Sequence, residues 1–368
     1  MQLRDKNILL ISPEKWSDIR LSKHHYALTL SSRGNKVYFL NPPDNIKFKI
    51  ELENKNLFIV DAYPLFKGLR KLPRFLSAFL TTIEFRILER KMRVRFDVIW
   101  NFENSRFFNL SQIRQSILKI SHIVDLNQNF QFKLASQTCD IAFGVANSIV
   151  ERHKVFNKHS FKISHGLAEG AFEEKEVKVD KANGISAAYI GNLSIKYLDW
   201  DLLKEIIEQN VNVHFYFIGP LGKSNLSGTD NIPSLVEELM NHDRAHFMGK
   251  VPSNKIVSYL KNFDVMLLAY QVDKYPTQLE NSHKLMEYMA TGKVTVATYT
   301  DEYKDKGGLL EMVEDKKNFS KAFHHVVNNL QHYNSIEKQD QRINFAKYNS
   351  YSRQLDRIEN LIKQYIGK

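Results

Sequence analysis

The segment Asn281-Ser282-His283-Lys284-Leu285-Met286-Glu287-Tyr288 places a base and an acid three residues apart. On a helix that spacing puts both side chains on one face. The pattern predicts a helix over 281–291, with Asn281 or Ser282 as its cap. Its N-terminus would offer free N–H groups and a positive dipole to a diphosphate, with Ser282 and His283 at the contact. The Lys284 ammonium, in the first turn, would complete the neutralisation of the phosphates. The Glu287 carboxylate could accept two hydrogen bonds from a ribose diol. Without a ligand, the same spacing describes an ordinary surface Lys–Glu pair.

Three other segments end an apolar run in glycine: Tyr189-Ile190-Gly191-Asn192, Phe217-Ile218-Gly219-Pro220 and His246-Phe247-Met248-Gly249-Lys250. In open α/β sheets ligands sit beyond the carboxyl ends of the strands, and a glycine there lets backbone approach them closely. Gly191, Asn192, Gly219, Met248, Gly249 and Lys250 are therefore binding candidates. Asp199-Trp200-Asp201 has the D-x-D form of some metal sites, but its position at a helix start favours capping. The 13 histidines show no ligand spacing, and no metal is expected.

The run KLMEYMATGKVTVAT (284–298) resembles the donor-site signature of GT-B glycosyltransferases of the group 1, family 4-like kind. Ser164-His165-Gly166-Leu167 is similar to the hinge-strand ending of that group, and 15–27 with 34–39 to its acceptor-side opening. Teichuronic-acid-type transferases and xanthan-type glucuronosyltransferases are the nearest kinds suggested. The likeness spans nearly the whole chain, and 284–298 is its specific part. It implies a nucleotide-diphosphate sugar as co-substrate, a UDP-sugar favoured, with no separate cofactor. It implies that Glu287 holds the ribose, that Lys284 and Tyr270 lie at the diphosphate, and that the backbone at Met248-Gly249-Lys250 meets the base. The retaining pattern of the group has a second glutamate where Leu279 stands here, with Glu280 next to it, so inverting transfer stays open. That chemistry needs a base for the acceptor hydroxyl. Asp125, ending an apolar strand, is favoured; Glu103 and His24, with its neighbour His25, are alternatives.

These residues need elements to hold them. Apolar strand-like runs at 7–12, 36–40, 56–62, 97–102, 120–124, 140–145 and 161–164 alternate with helical stretches, among them 22–33. A second series follows at 186–190, 213–218, 246–248, 264–270 and 294–298, with helices near 199–209 and 253–262. Buried runs separated by helices describe parallel sheets covered on both faces. The expected fold is α/β: two Rossmann-like domains facing a cleft, residues 1–170 for the acceptor and 185–342 for the donor. Residues 171–184 form a charged linker. A helical tail, 343–368, is expected to return to the N-terminal domain.

The composition, 43% hydrophobic and 25% charged in 368 residues, excludes disorder, collagen and coiled coil. No apolar run approaches the roughly 20 residues that cross a bilayer. The opening residues lack a signal-peptide layout, and the single Cys139 excludes an internal disulfide, so a cytoplasmic location is expected. The net charge of +11 is uneven: residues 1–180 hold 29 basic and 19 acidic residues. Nine bases and two acids lie within 65–95, where apolar residues recur at three- and four-residue steps. That combination reads as an interfacial amphipathic helix on an anionic membrane, as a lipid-linked or polysaccharide acceptor would require. A surface-glycan transferase at the inner face of a bacterial cytoplasmic membrane is the reading that joins these features. A nucleic-acid-binding protein and a GT-B nucleotide-sugar epimerase are the alternatives. No nucleic-acid-reading motif accompanies the bases, so nucleic acid is not expected as a partner.

Overall fold

The computed structural model describes residues 2–43, 48–125, 130–173, 177–222 and 233–367. Its contacts divide the chain into two units, Met1–Ser164 with Tyr351–Lys368, and His165–Ser350.

The first unit contains β1 (Asn7–Ile11), α1 (Ser22–Ser32), β2 (Lys36–Leu40), β3 (Lys49–Asn54), β4 (Leu57–Asp61), α2 (Arg74–Met92), β5 (Val98–Asn101), β6 (Leu118–Ile123), α3 (Phe132–Thr138), β7 (Ile141–Gly144), α4 (Asn147–Lys154) and β8 (Ser160–Lys162). The strand order is β3-β4-β2-β1-β5-β6-β7-β8. All neighbours are parallel except β3, which runs antiparallel along β4. Along β1, Ile8 and Leu10 face one cluster while Leu9 and Ile11 face another. Period-two alternation with both faces apolar is what a sheet covered on both sides requires.

β3 was not foreseen from its sequence, KIELEN. All six of its residues are exposed, and its Lys49, Glu51 and Glu53 show no buried face. Charges of this kind keep an edge strand from pairing with other chains.

The second unit contains β9 (Ile185–Ile190), α5 (Trp200–Gln209), β10 (Val213–Ile218), α6 (Ser234–Met240), β11 (Ala245–Gly249), α7 (Ile256–Leu260), β12 (Val265–Leu268), α8 (Lys284–Ala290), β13 (Val294–Thr298), β14 (Glu311–Val313), α9 (Phe319–Asn328), α10 (Leu330–Tyr333) and α11 (Ile336–Tyr348). Its sheet is parallel throughout, in the order β11-β10-β9-β12-β13-β14. Asp199 caps α5 by accepting from Leu202 N at 3.1 Å and is ion-paired with Lys316. Within 171–184, Ala171, Phe172 and Val179 pack on this unit's core.

The tail is two helices, not one. α12 (Tyr351–Ile366) follows α11 after a break at Asn349-Ser350. Asn349 turns its side chain back to Phe345 O at 2.8 Å, while its own carbonyl accepts Leu167 N at 2.9 Å. α12 belongs to the first unit, where Tyr351, Leu355, Ile358 and Ile362 enter the core beside α1. Arg33, at the end of α1, donates to Ser352 O at 2.7 Å and to Asp356 at 2.8 Å. Ile358→Ala, which empties a fully buried site, is expected to cost about 2–5 kcal/mol. The check is a lowered urea midpoint at unchanged slope for the transition of this unit.

Candidate donor site

The second unit's sheet presents its carboxyl ends together, and two of them are in backbone contact. Gly191 and Gly219 have φ of +147° and +144°. A Cβ on Gly219 would lie 1.8 Å from the Gly191 carbonyl oxygen, so no other residue fits without moving backbone. Gly219 N donates to Gly249 O at 2.7 Å, and Leu193 N to Pro220 O at 2.9 Å. Asn192 accepts Ser194 N at 2.9 Å, closing the loop after β9.

Lys284 sits against this floor. Its side chain is 7% exposed, and its ammonium lies 5.8 Å from the Tyr189 ring centre and 5.9 Å from that of Tyr270. A Cβ on Gly191 would stand 2.2 Å from Lys284 Cε. The glycine is therefore what admits the lysine. Rings supply only part of the stabilisation that a desolvated ammonium loses.

α8 is held to the sheet by Tyr288. Its hydroxyl accepts Ile190 N at 3.0 Å and donates to Leu267 O at 3.1 Å, joining the ends of β9 and β12. One residue earlier, Glu287 is half-buried and lines a cavity of about 630 Å³ with Leu167, Gly170, Ser253, Asn254 and Lys255. Burial pushes its carboxyl up to about 7, against the lowering influence of Lys284. Lys284 and Glu287 thus belong to one helix face, the lysine in the aromatic cage and the glutamate at a cavity wide enough for a nucleoside.

Two details differ from the sequence expectation. α8 starts at Lys284, with His283 as its cap residue and no side-chain cap; Ser282 contributes only its carbonyl, to Leu285 N at 3.2 Å. The helix has two turns, and the side-chain cap expected at its start is not formed. His283 instead lies edge-on to His165 at 5.9 Å. Nor do Met248, Gly249 and Lys250 line the cavity: the Gly249 carbonyl is used on Gly219, and 253–255 take the place beside Glu287. The Pro-Ser-Asn-Lys helix start at 252–255 was the available signal for that wall. Tyr189, the cage's other ring, was missed because within a strand it reads as core.

Residues 186–329 match a family model described as glycosyl transferases group 1. Residues 186–329 are of the group 1 glycosyltransferase kind, and the chain has the GT-B fold. No curated protein sequence matches it. Among solved structures, the chain is similar to sucrose-phosphate synthase from Thermosynechococcus elongatus (TM-score 0.72, 14% identity, 98% of this chain and 99% of that one). It is also similar to a glycosyltransferase from Rickettsia africae (0.68, 12%, 98% and 99%). A third is Anabaena HepE, solved with UDP-glucose (0.61, 11%, 98% and 100%).

In the first unit, Glu103 and Asp125 follow the adjacent strands β5 and β6, each two residues past the strand end. Asp125 is exposed. Glu103 accepts Ser105 N at 2.5 Å, and its own N–H donates to Asn101 at 2.8 Å, so its carboxylate serves a turn. His24 is corrected to a structural role. Its Nδ1 accepts Leu21 N at 3.0 Å, capping α1, which leaves the proton on Nε2, donated to Lys15 O at 2.9 Å. Burial, with the Lys23 and Arg20 charges, pushes the ring down to about 4. A neutral imidazole with both nitrogens engaged has no lone pair for an acceptor hydroxyl. Among the described residues, no three His, Cys, Asp or Glu side chains cluster as metal ligands.

The raised Glu287 carboxyl makes stability fall with pH. Between the ordinary glutamate range and about 7, the folded chain keeps a proton that the unfolded chain releases. Glu287→Gln is therefore expected to melt higher than the parent at pH 8 and to converge with it near pH 4. Parallel melting curves at both pH values, without nucleotide, are the check.

Proposed function

We propose that the transferase moves a sugar from a nucleotide-diphosphate donor, a UDP-sugar, to a lipid-linked or polysaccharide acceptor in bacterial surface-glycan synthesis, at the inner face of the cytoplasmic membrane. The observation that carries the donor half is the buried Lys284 ammonium between Tyr189 and Tyr270, one helical turn from Glu287 on a nucleoside-sized cavity. In this reading the diphosphate neutralises Lys284, the ribose diol donates to Glu287, and Leu167–Gly170 with 253–255 enclose the base. A similar fold has been solved with UDP-glucose in HepE. Asp125, at the carboxyl end of β6, is the proposed base. UDP is expected to raise the melting temperature, since it binds only the folded chain. Lys284→Ala and Glu287→Ala should remove most of that rise; an undiminished rise in both would refute the assignment.

The acceptor half rests on α2. This helix turns Ser77, Ala78, Thr81, Thr82, Glu84, Phe85, Leu88 and Glu89 inward. Two of its aromatic residues point the other way: Phe75 is 70% exposed and Phe79 52%. Arg86 and Arg90 continue the same face, and Arg70, Lys71 and Arg74 precede it, all exposed. No described helix is long and apolar enough to cross a membrane. A face with aromatic residues between bases suits the headgroup region of an anionic bilayer, each base near the surface adding about 1 kcal/mol. The protein should float with vesicles containing phosphatidylglycerol and not with pure phosphatidylcholine. Phe75→Ser/Phe79→Ser should stay in the soluble fraction with both.

A further inference from the structure

Beside α2 the first unit has a cavity of about 580 Å³ where β4 ends. Phe48, Leu65, Ile87 and Leu88 form the apolar side of its mixed lining, and Leu65 is itself 44% exposed at the mouth. Lys67 and Lys91 stand at its rim. Each ammonium lies over an aromatic ring, Lys67 at 5.2 Å from the centre of Tyr63 and Lys91 at 5.1 Å from that of Phe48. Both lysines are exposed. Among the described residues, no carboxylate lies within ion-pair distance of either.

The floor is Glu84, and its charge is already matched. Arg106 donates to its Oε1 at 2.8 Å from Nη2 and holds the Ala62 carbonyl at 2.9 Å through Nη1. Both members of that pair are buried. The loop behind it is fixed as well: Phe107 sits at φ +52°, and the Asn101 side chain donates to the carbonyls of Arg106 and Phe107 at 3.1 Å. A bulky residue held in the left-handed region marks a segment whose surroundings over-determine it. The cavity is thus built on a rigid base, with one apolar side and two positive charges at the opening.

We propose that this cavity binds a phosphate ester carried on an apolar chain, the chain against Phe48, Leu65 and Ile87 and the phosphate between Lys67 and Lys91. It rests on the lipid-linked acceptor reading above and gives that acceptor's anchoring group a place in the first unit. The chemistry selects against the separate parts of such a molecule. Inorganic phosphate leaves the walls wet, and the bare alcohol leaves the ammonium groups without an anion.

The test is titration of the full chain with farnesyl phosphate, inorganic phosphate and farnesol, each below its aggregation limit, followed by calorimetry. Farnesyl phosphate is expected to bind about tenfold or more tighter than either part. Lys67→Ala/Lys91→Ala should lose about tenfold for farnesyl phosphate, and Ile87→Trp, which fills the cavity, should lose binding. In both variants the UDP-induced rise in melting temperature should be unchanged, which shows an intact fold. Equal affinity for farnesyl phosphate and its parts, or an unaffected lysine double variant, would overturn the proposal. Vesicle flotation separates it from the membrane reading. Farnesyl phosphate binding without flotation supports the cavity and removes the docking face; flotation without farnesyl phosphate binding does the reverse.

Discussion

The Gly191 carbonyl occupies the place where a side chain on Gly219 would stand, and the rest of the donor site depends on that contact. With no Cβ on either residue, the loops after β9 and β10 lie against each other and leave a floor of bare backbone. Lys284 uses that space. The chain of dependence continues through Tyr288, whose hydroxyl pins α8 to the backbone of β9 and β12. Because α8 cannot slide, Lys284 and Glu287 keep their places. The glutamate is accordingly held where burial favours its protonated form, a cost that hydroxyl donors from a ligand would offset.

In the first unit the corresponding constraint is electrostatic. α2 turns two carboxylates toward the protein, and each has an arginine waiting: Glu84 with Arg106 and Glu89 with Arg114, at 2.8 and 2.6 Å. Such pairs contribute little net stability, but removing one partner leaves a buried charge at a cost of about 3–5 kcal/mol. They therefore fix which face of α2 is inside. With that face fixed by the paired carboxylates and the core contacts of Phe85, Leu88 and Met92, Phe75 and Phe79 are left outward. The exposed apolar surface follows from the internal polar bonding.

Some of this was legible before the fold was known. The parallel strands were, because buried β-runs such as 213–218 are apolar in nearly every residue. So was the Lys284–Glu287 face, because three-residue spacing on a helix is a local property. Asp199 was readable as a cap for the same reason. β3 was not, since its exposed KIELEN has no burial pattern. The tail break at 349–350 was not, because it depends on Leu167, nearly two hundred residues earlier. His24 looked available, and only the path of the chain at Lys15 and Leu21 shows that both its nitrogens are used.

The amino-acid sequence by itself determined the two α/β layers and the helix that carries a lysine and a glutamate together, since periodicity and spacing are set by neighbours along the chain. The tertiary structure alone decided the depth of Lys284, the wall at 253–255 and the outward turn of Phe75 and Phe79. Those follow from which distant groups arrive to fill space or match a charge. The spacing of one segment does not contain that information, because solvation is a property of the packed neighbourhood and not of the residue.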